Sequence, residues 1–127
     1  GIGGAIVGVL GAEMALGVQK VLDIAGLDSL LSGCNLIFTG EGKADIQTLK
    51  GKVPMGILEY VRAHTDPENR PKIVLIAGLV SDRQQLLDAG FDAVLQITPA
   101  GMPLSEAMIP AIAIANITRT IKDYLLC

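Results

Sequence analysis

Lys72-Ile73-Val74-Leu75-Ile76-Ala77-Gly78 is the stretch on which the fold turns. Its apolar residues are consecutive and rich in β-branched side chains, so a strand built from them is apolar on both faces. Such a strand needs cover above and below, which parallel sheets flanked by helices supply and half-exposed antiparallel sheets do not. Asn35 to Thr39 and Ala93 to Thr98 have the same character, and each of the three runs is expected to end in a loop bearing glycine or proline. Between them lie helical signals. Pro54 stands where a first-turn proline belongs, and Ile57, Leu58 and Val61 form a stripe, which predicts a helix reaching His64. Ser81 with Gln84 has the spacing of a capping box for a helix from Asp82 to Ala89, and Gly90 is its stop. A last helix is expected from about Pro103 to Leu126, kinked or split at Pro110. Ahead of these, Gly4 to Gly26 reads as one or two Ala- and Gly-rich helices, and Leu27 to Ser32 as a further short one. The order β-α-β-α-β-α, joined by right-handed crossovers, gives an α/β fold with a parallel sheet. Three strands are few, so further strands are expected from sequence outside this chain or from a second copy.

Composition narrows the function. The chain has 127 residues, enough for one core; 50% are hydrophobic, 18% charged and only 3% aromatic, so that core is made of Ile, Leu, Val and Ala. A formal charge of -3 and the lack of a basic stripe exclude nucleic acid as the expected partner. Cys34 and Cys127 are far apart and have no neighbours at metal-ligand spacing, so neither a disulfide framework nor a zinc site is indicated, and a cytoplasmic setting is expected. The apolar stretch from Gly1 to Val18 is broken by Glu13 and by glycines, which argues against a membrane span. Opening on Gly1, Gly3 and Gly4 without an initiator methionine, the chain is expected to be a piece of a longer polypeptide.

In an open parallel sheet, ligands bind beyond the carboxyl ends of the strands. The expected exits are Thr39 to Asp45, Gly78 to Asp82 and Thr98 to Met102, each with glycine that lets backbone approach a ligand. The first is the richest: Glu41, Lys43, Asp45, Gln47, Thr48 and Lys52 precede the Pro54 helix. Phosphoryl transfer needs this mixture, with carboxylates to hold Mg²⁺ or accept a hydroxyl proton and cations to neutralise phosphate oxygens. The same residues also read as a polar surface loop with helix caps. Gly51-Lys52 is followed by Val53, which excludes a P-loop, and Asp45 stands where a dinucleotide fingerprint needs its third glycine.

The run Thr39-Gly40-Glu41-Gly42-Lys43, with Asp45, Gln47-Thr48, Gly51-Lys52, Pro54 and Gly56, resembles the signature of the bacterial glycerate kinase family. So do Leu10-Gly11-Ala12-Glu13, Ile76-Ala77-Gly78, Gly90 with Asp92-Ala93-Val94, and Pro99, Met102, Leu104 and Glu106-Ala107; together they look like the family's carboxy-terminal third. Lys43 departs from the family's usual Arg, which keeps the charge but loses the bidentate grip. The resemblance implies an ATP-dependent kinase that phosphorylates D-glycerate, in two α/β domains with a cleft between them. One domain, flavodoxin-like or Rossmann-like, is assembled from both ends of the chain, and the other is inserted. Residues 1–33 would then be the helical tail of the inserted domain, and residues 34–127 the carboxy-terminal half of the flavodoxin-like or Rossmann-like domain, inactive alone. Glu41, Asp45 and Lys43 are the expected catalytic residues; Gly40, Gly42, Gln47, Thr48, Lys52 and Gly78 bind substrate or phosphate; Glu41 and Asp45 hold Mg²⁺. Whether the 2- or the 3-hydroxyl is phosphorylated stays open. The alternatives are a non-catalytic flavodoxin-like module binding small anions, and a structural, oligomer-forming piece. His64 is expected to be a surface residue compensating a helix dipole, and Asp82 merely to favour the helix after a Ser81 cap.

Overall fold

A computed structural model of the chain describes residues 26–126. The helices expected ahead of residue 26, and the apolar stretch over residues 1–18, lie outside the described residues. The described chain runs through α1 (Leu27–Leu31), β1 (Leu36–Ala44), a 3₁₀ turn (Ile46–Leu49) and α2 (Val53–His64). A second 3₁₀ turn (Pro67–Asn69) leads to β2 (Lys72–Val80), α3 (Arg83–Ala89), β3 (Ala93–Gln96), α4 (Leu104–Ala107) and α5 (Pro110–Leu126). The strands form one sheet in the order β1-β2-β3. Both pairings are parallel, with Leu36 opposite Lys72 at one end of the first and Val74 opposite Ala93 at the start of the second. The fold is therefore the α/β arrangement that the doubly apolar strands require.

One face of the sheet carries the main core. Ile73, Leu75 and Ala77, alternate residues of β2, pack with Val94 of β3 against Val53, Ile57, Leu58, Tyr60 and Val61 of α2 and Leu86 of α3. Leu27 and Leu31 of α1 join the same cluster. The other face shows itself at Phe38, whose ring meets Tyr124 of α5 edge to face at 6.0 Å between centroids. Pro110 does split the last helix, and α5 begins on it, because a helix's first residue needs no N–H donor. Gly90 stops α3 in a positive-φ conformation, with its N–H bonded to the Leu87 carbonyl at 3.0 Å.

Two expectations fail. β1 and β2 do not end at their first glycines: β1 continues through Gly40-Glu41-Gly42-Lys43 to Ala44, and β2 through Gly78 to Val80. The ladder pairs Glu41 with Ala77 and Lys43 with Leu79, which sets Gly42 beside Gly78. A Cβ on Gly78 would come within 2.7 Å of the Gly42 carbonyl oxygen, so Gly78 allows the strands to close up where it read as a loop-former. The Ser81 capping box is also absent. Ser81 N–H is committed to the Ala44 carbonyl at 2.8 Å, which keeps Ser81 in the sheet rim, and Asp82 takes the N-cap position without a side-chain cap bond. Gln84 bonds Asp88 Oδ1 instead, at 2.9 Å.

Candidate functional site

The carboxyl ends of β1 and β2 carry the polar cluster. Alternation along β1 puts Thr39, Glu41 and Lys43 on the same face as Ile37, which packs against the α2 side of the core. Just past the strand, Asp45 turns the chain into the first 3₁₀ turn through a full capping box: Asp45 Oδ1 accepts from Gln47 N–H at 2.8 Å, and Thr48 Oγ1 accepts from Asp45 N–H at 3.1 Å. This turn folds Thr48 back, fully buried, so that its hydroxyl donates to Glu41 Oε1. Because Thr48 has one proton and its acceptor side already serves Asp45, that proton is directed to Glu41.

Glu41 is half-buried, and burial pushes its carboxyl above its ordinary value; the Thr48 hydrogen bond and the charge of Lys52 pull it back, while Asp45 adds to the rise. Lys52 sits at the N-cap of α2, next to Gly51 in a left-handed conformation (φ 75°). The positive end of that helix thus coincides with Lys52, whose charge acts on Glu41. Lys43 Nζ lies 3.8 Å from Asp45 Oδ2, a long pair with an exposed lysine and of little energetic weight. Glu41, Lys43, Asp45, Thr48 and Lys52 are therefore brought together. Gly40 and Gly42 are strand residues beside them, Gln47 is exposed and enters through its backbone, and Gly78 lies in β2 against Gly42. Sequence spacing had left Glu41 and Asp45 equivalent; burial and hydrogen bonding separate them.

Three roles at this rim escaped the sequence reading, which took Asp82 only as a residue favouring its helix. Asp82 Oδ2 accepts from Ile46 N–H at 3.0 Å, linking the β2 exit to the 3₁₀ turn. Gln96 accepts from Val80 N–H at 3.1 Å and donates to the Thr98 carbonyl at 2.9 Å, joining the exits of β2 and β3. Thr39 Oγ1 is buried and, among the described residues, has no hydrogen-bond partner. None has a local signature, because each depends on which strands become neighbours. His64, at the last position of α2, stacks on Tyr60 with 3.9 Å between ring centroids and places Nδ1 2.8 Å from the Tyr60 carbonyl, at the opposite end of the sheet from Glu41.

Carboxylates, a buried hydroxyl donor and lysines thus share one end of the sheet, and the chain as a whole can be compared with known sequences. The sequence model of the glycerate kinase family matches residues 1–125. The chain belongs to the glycerate kinase family. It is 36% identical to the glycerate kinase of Bacillus cereus (strain ATCC 10987 / NRS 248) over 97% of this chain and 31% of that protein. It is 32% identical to the glycerate kinase of Bacillus subtilis (strain 168) over 84% of this chain and 27% of that one. It is also 32% identical to the glycerate 2-kinase of Escherichia coli (strain K12), again over 84% of this chain and 27% of the relative. The chain thus spans about a third or less of the length of the curated glycerate kinases it matches.

Among the described residues, no helix is long and apolar enough to cross a membrane, and no three or more His, Cys, Asp or Glu side chains gather as a metal cluster. Magnesium does not need such a cluster: it commonly takes one or two carboxylates and fills its remaining positions with phosphate and water oxygens. Asp45, with one oxygen bonded to a backbone N–H and the other only loosely paired with Lys43, fits that partial role for this member of the glycerate kinase family.

Proposed function

We propose that the chain is the carboxy-terminal part of an ATP-dependent glycerate kinase and supplies the base of the reaction, with residues 1–33 belonging to an inserted domain and residues 34–127 completing the α/β domain. The observation that carries this reading is the Thr48–Glu41–Lys52 arrangement on the downstream edge of β1. It stands within the run from Thr39 to Gly56 that resembles the family signature. Glu41 accepts the proton of the glycerate hydroxyl as its oxygen bonds to the γ-phosphorus and ADP leaves. A carboxylate whose burial raises its proton affinity is the better base near neutral pH, which favours Glu41 over Asp45. The name of the Escherichia coli relative supports the 2-hydroxyl as acceptor. Thr48 orients Glu41; Lys52, Lys43 and the α2 amino terminus offset charge on the transferring phosphoryl group. Asp45 would hold Mg²⁺, which when bound neutralises phosphate charge. Gly40 and Gly78 let the strands close behind the site, Gly42 leaves open space beside it for phosphate or substrate, and the exposed Gln47 faces substrate.

The test is turnover by the complete polypeptide given ATP, Mg²⁺ and D-glycerate, with phosphoglycerate as the product detected. Loss of product in Glu41→Ala and Asp45→Ala, with the fold intact, supports the reading. Absence of turnover in the unaltered protein, or turnover indifferent to both substitutions, overturns it.

A further inference from the structure

We propose that Asp82 is a positioning residue for Glu41, acting by tying the 3₁₀ turn that carries Thr48 to the exit of β2. This inference rests on the reading of Glu41 as the base.

Asp82 has φ 53° and ψ 35°, and among the described residues it is the one non-glycine residue with positive φ. Such a backbone is uncommon for a residue with a Cβ, although Asp tolerates it better than most. Capping does not explain it, because the Asp82 side chain makes no cap bond to α3. Its Oδ2 instead reaches Ile46 N–H at 3.0 Å, across 36 positions of sequence.

Ile46 opens the 3₁₀ turn, and the first N–H groups of any helix have no acceptor within it. Here they are satisfied one by one. Asp45 N–H goes to Thr48 Oγ1 at 3.1 Å and Gln47 N–H to Asp45 Oδ1 at 2.8 Å, while Thr48 N–H makes the turn's first regular bond, to the Asp45 carbonyl at 2.9 Å. All three are internal to the turn; only the Ile46 bond comes from another element. Together with Ser81 N–H on the Ala44 carbonyl at 2.8 Å, it fixes the turn's place relative to the sheet. Thr48 is fully buried and bonded to Glu41, so displacing the turn moves the donor that sets the carboxylate's direction. Small displacements of a reacting group lower rate steeply without equal loss of binding.

Two substitutions separate tether from backbone effects. Asp82→Gly removes the acceptor yet suits the left-handed backbone; Asp82→Asn keeps a side-chain carbonyl acceptor and tolerates the same backbone. In the complete polypeptide, Asp82→Gly is expected to lower kcat for D-glycerate phosphorylation by about tenfold or more. KM for D-glycerate and for ATP should stay within about threefold. Asp82→Asn should keep kcat within about twofold of the unaltered protein. Hydrogen exchange should quicken at Ile46 and Thr48 in the glycine variant and not in the asparagine variant. An Asp82→Gly protein with unchanged kcat and unchanged exchange overturns the proposal, and so does an asparagine variant as impaired as the glycine one. If the unaltered protein transfers no phosphoryl group, the proposed function fails by itself. The exchange comparison then decides the tether alone, faster exchange supporting it and equal exchange refuting it.

Discussion

Glu41 combines a desolvated carboxyl with a single well-placed donor, and the two effects oppose each other. A carboxyl raised in the folded protein binds more protons there than in the unfolded chain, so this group lowers stability as pH rises through its raised value. Glu41→Gln retains an acceptor for Thr48 and removes the charge. It should therefore melt at or above the temperature of the unaltered protein at neutral pH, and the difference should shrink toward the pH of ordinary carboxylates. A Tm that falls at neutral pH would show that the hydrogen bond and Lys52 outweigh burial. Thr39 permits a second test. A buried hydroxyl without a partner costs about 1–3 kcal/mol, so Thr39→Val, similar in shape and well suited to a strand, should raise stability by about 1 kcal/mol in urea unfolding. A clear loss would mean that the hydroxyl is satisfied.

Strands β1 and β2 depend on their glycines for approach, not for looseness. Gly78→Ala places a methyl group against the Gly42 carbonyl and should lower the unfolding free energy by about 1–3 kcal/mol, measured by denaturant titration; an unaffected midpoint would contradict the close contact. On α2, Leu58 is 1% exposed and lies in the main core, so Leu58→Ala should cost about 2–5 kcal/mol. These elements also show what a sequence can disclose. The doubly apolar run at Ile73 to Ala77, the first-turn Pro54 and the stop at Gly90 each act through neighbours in sequence, and each was legible. The extension of β1 to Ala44 was not, because Gly40 and Gly42 are drawn into a strand by pairing with β2 residues far along the chain. The clustering of Glu41, Lys43, Asp45 and Lys52 was expected from one rich segment. Its internal ranking depended on the burial of Thr48, and the contribution of Asp82 on a bond spanning 36 positions.

Among the described residues, Leu104, Met108, Ile109, Ile114, Leu125 and Leu126 are exposed on α4, α5 and the bend between them. Large apolar side chains exposed in such number favour association. Prepared by itself, the 127-residue chain should bind a hydrophobic-surface dye and scatter light as more than a monomer; a dye-silent monomer would contradict this. The chain spans about a third or less of the length of the glycerate kinases it matches, and in the proposed reading further polypeptide completes the site around Glu41. The most direct test of that account is the pH dependence of kcat/KM for D-glycerate in the complete polypeptide, unaltered and as Glu41→Gln. The expected result is an acid limb above the ordinary carboxylate range in the unaltered protein, and in the variant a loss of about 10²–10⁴-fold in rate with that limb gone. A Glu41→Gln protein that keeps the rate, or keeps the same limb, would contradict it.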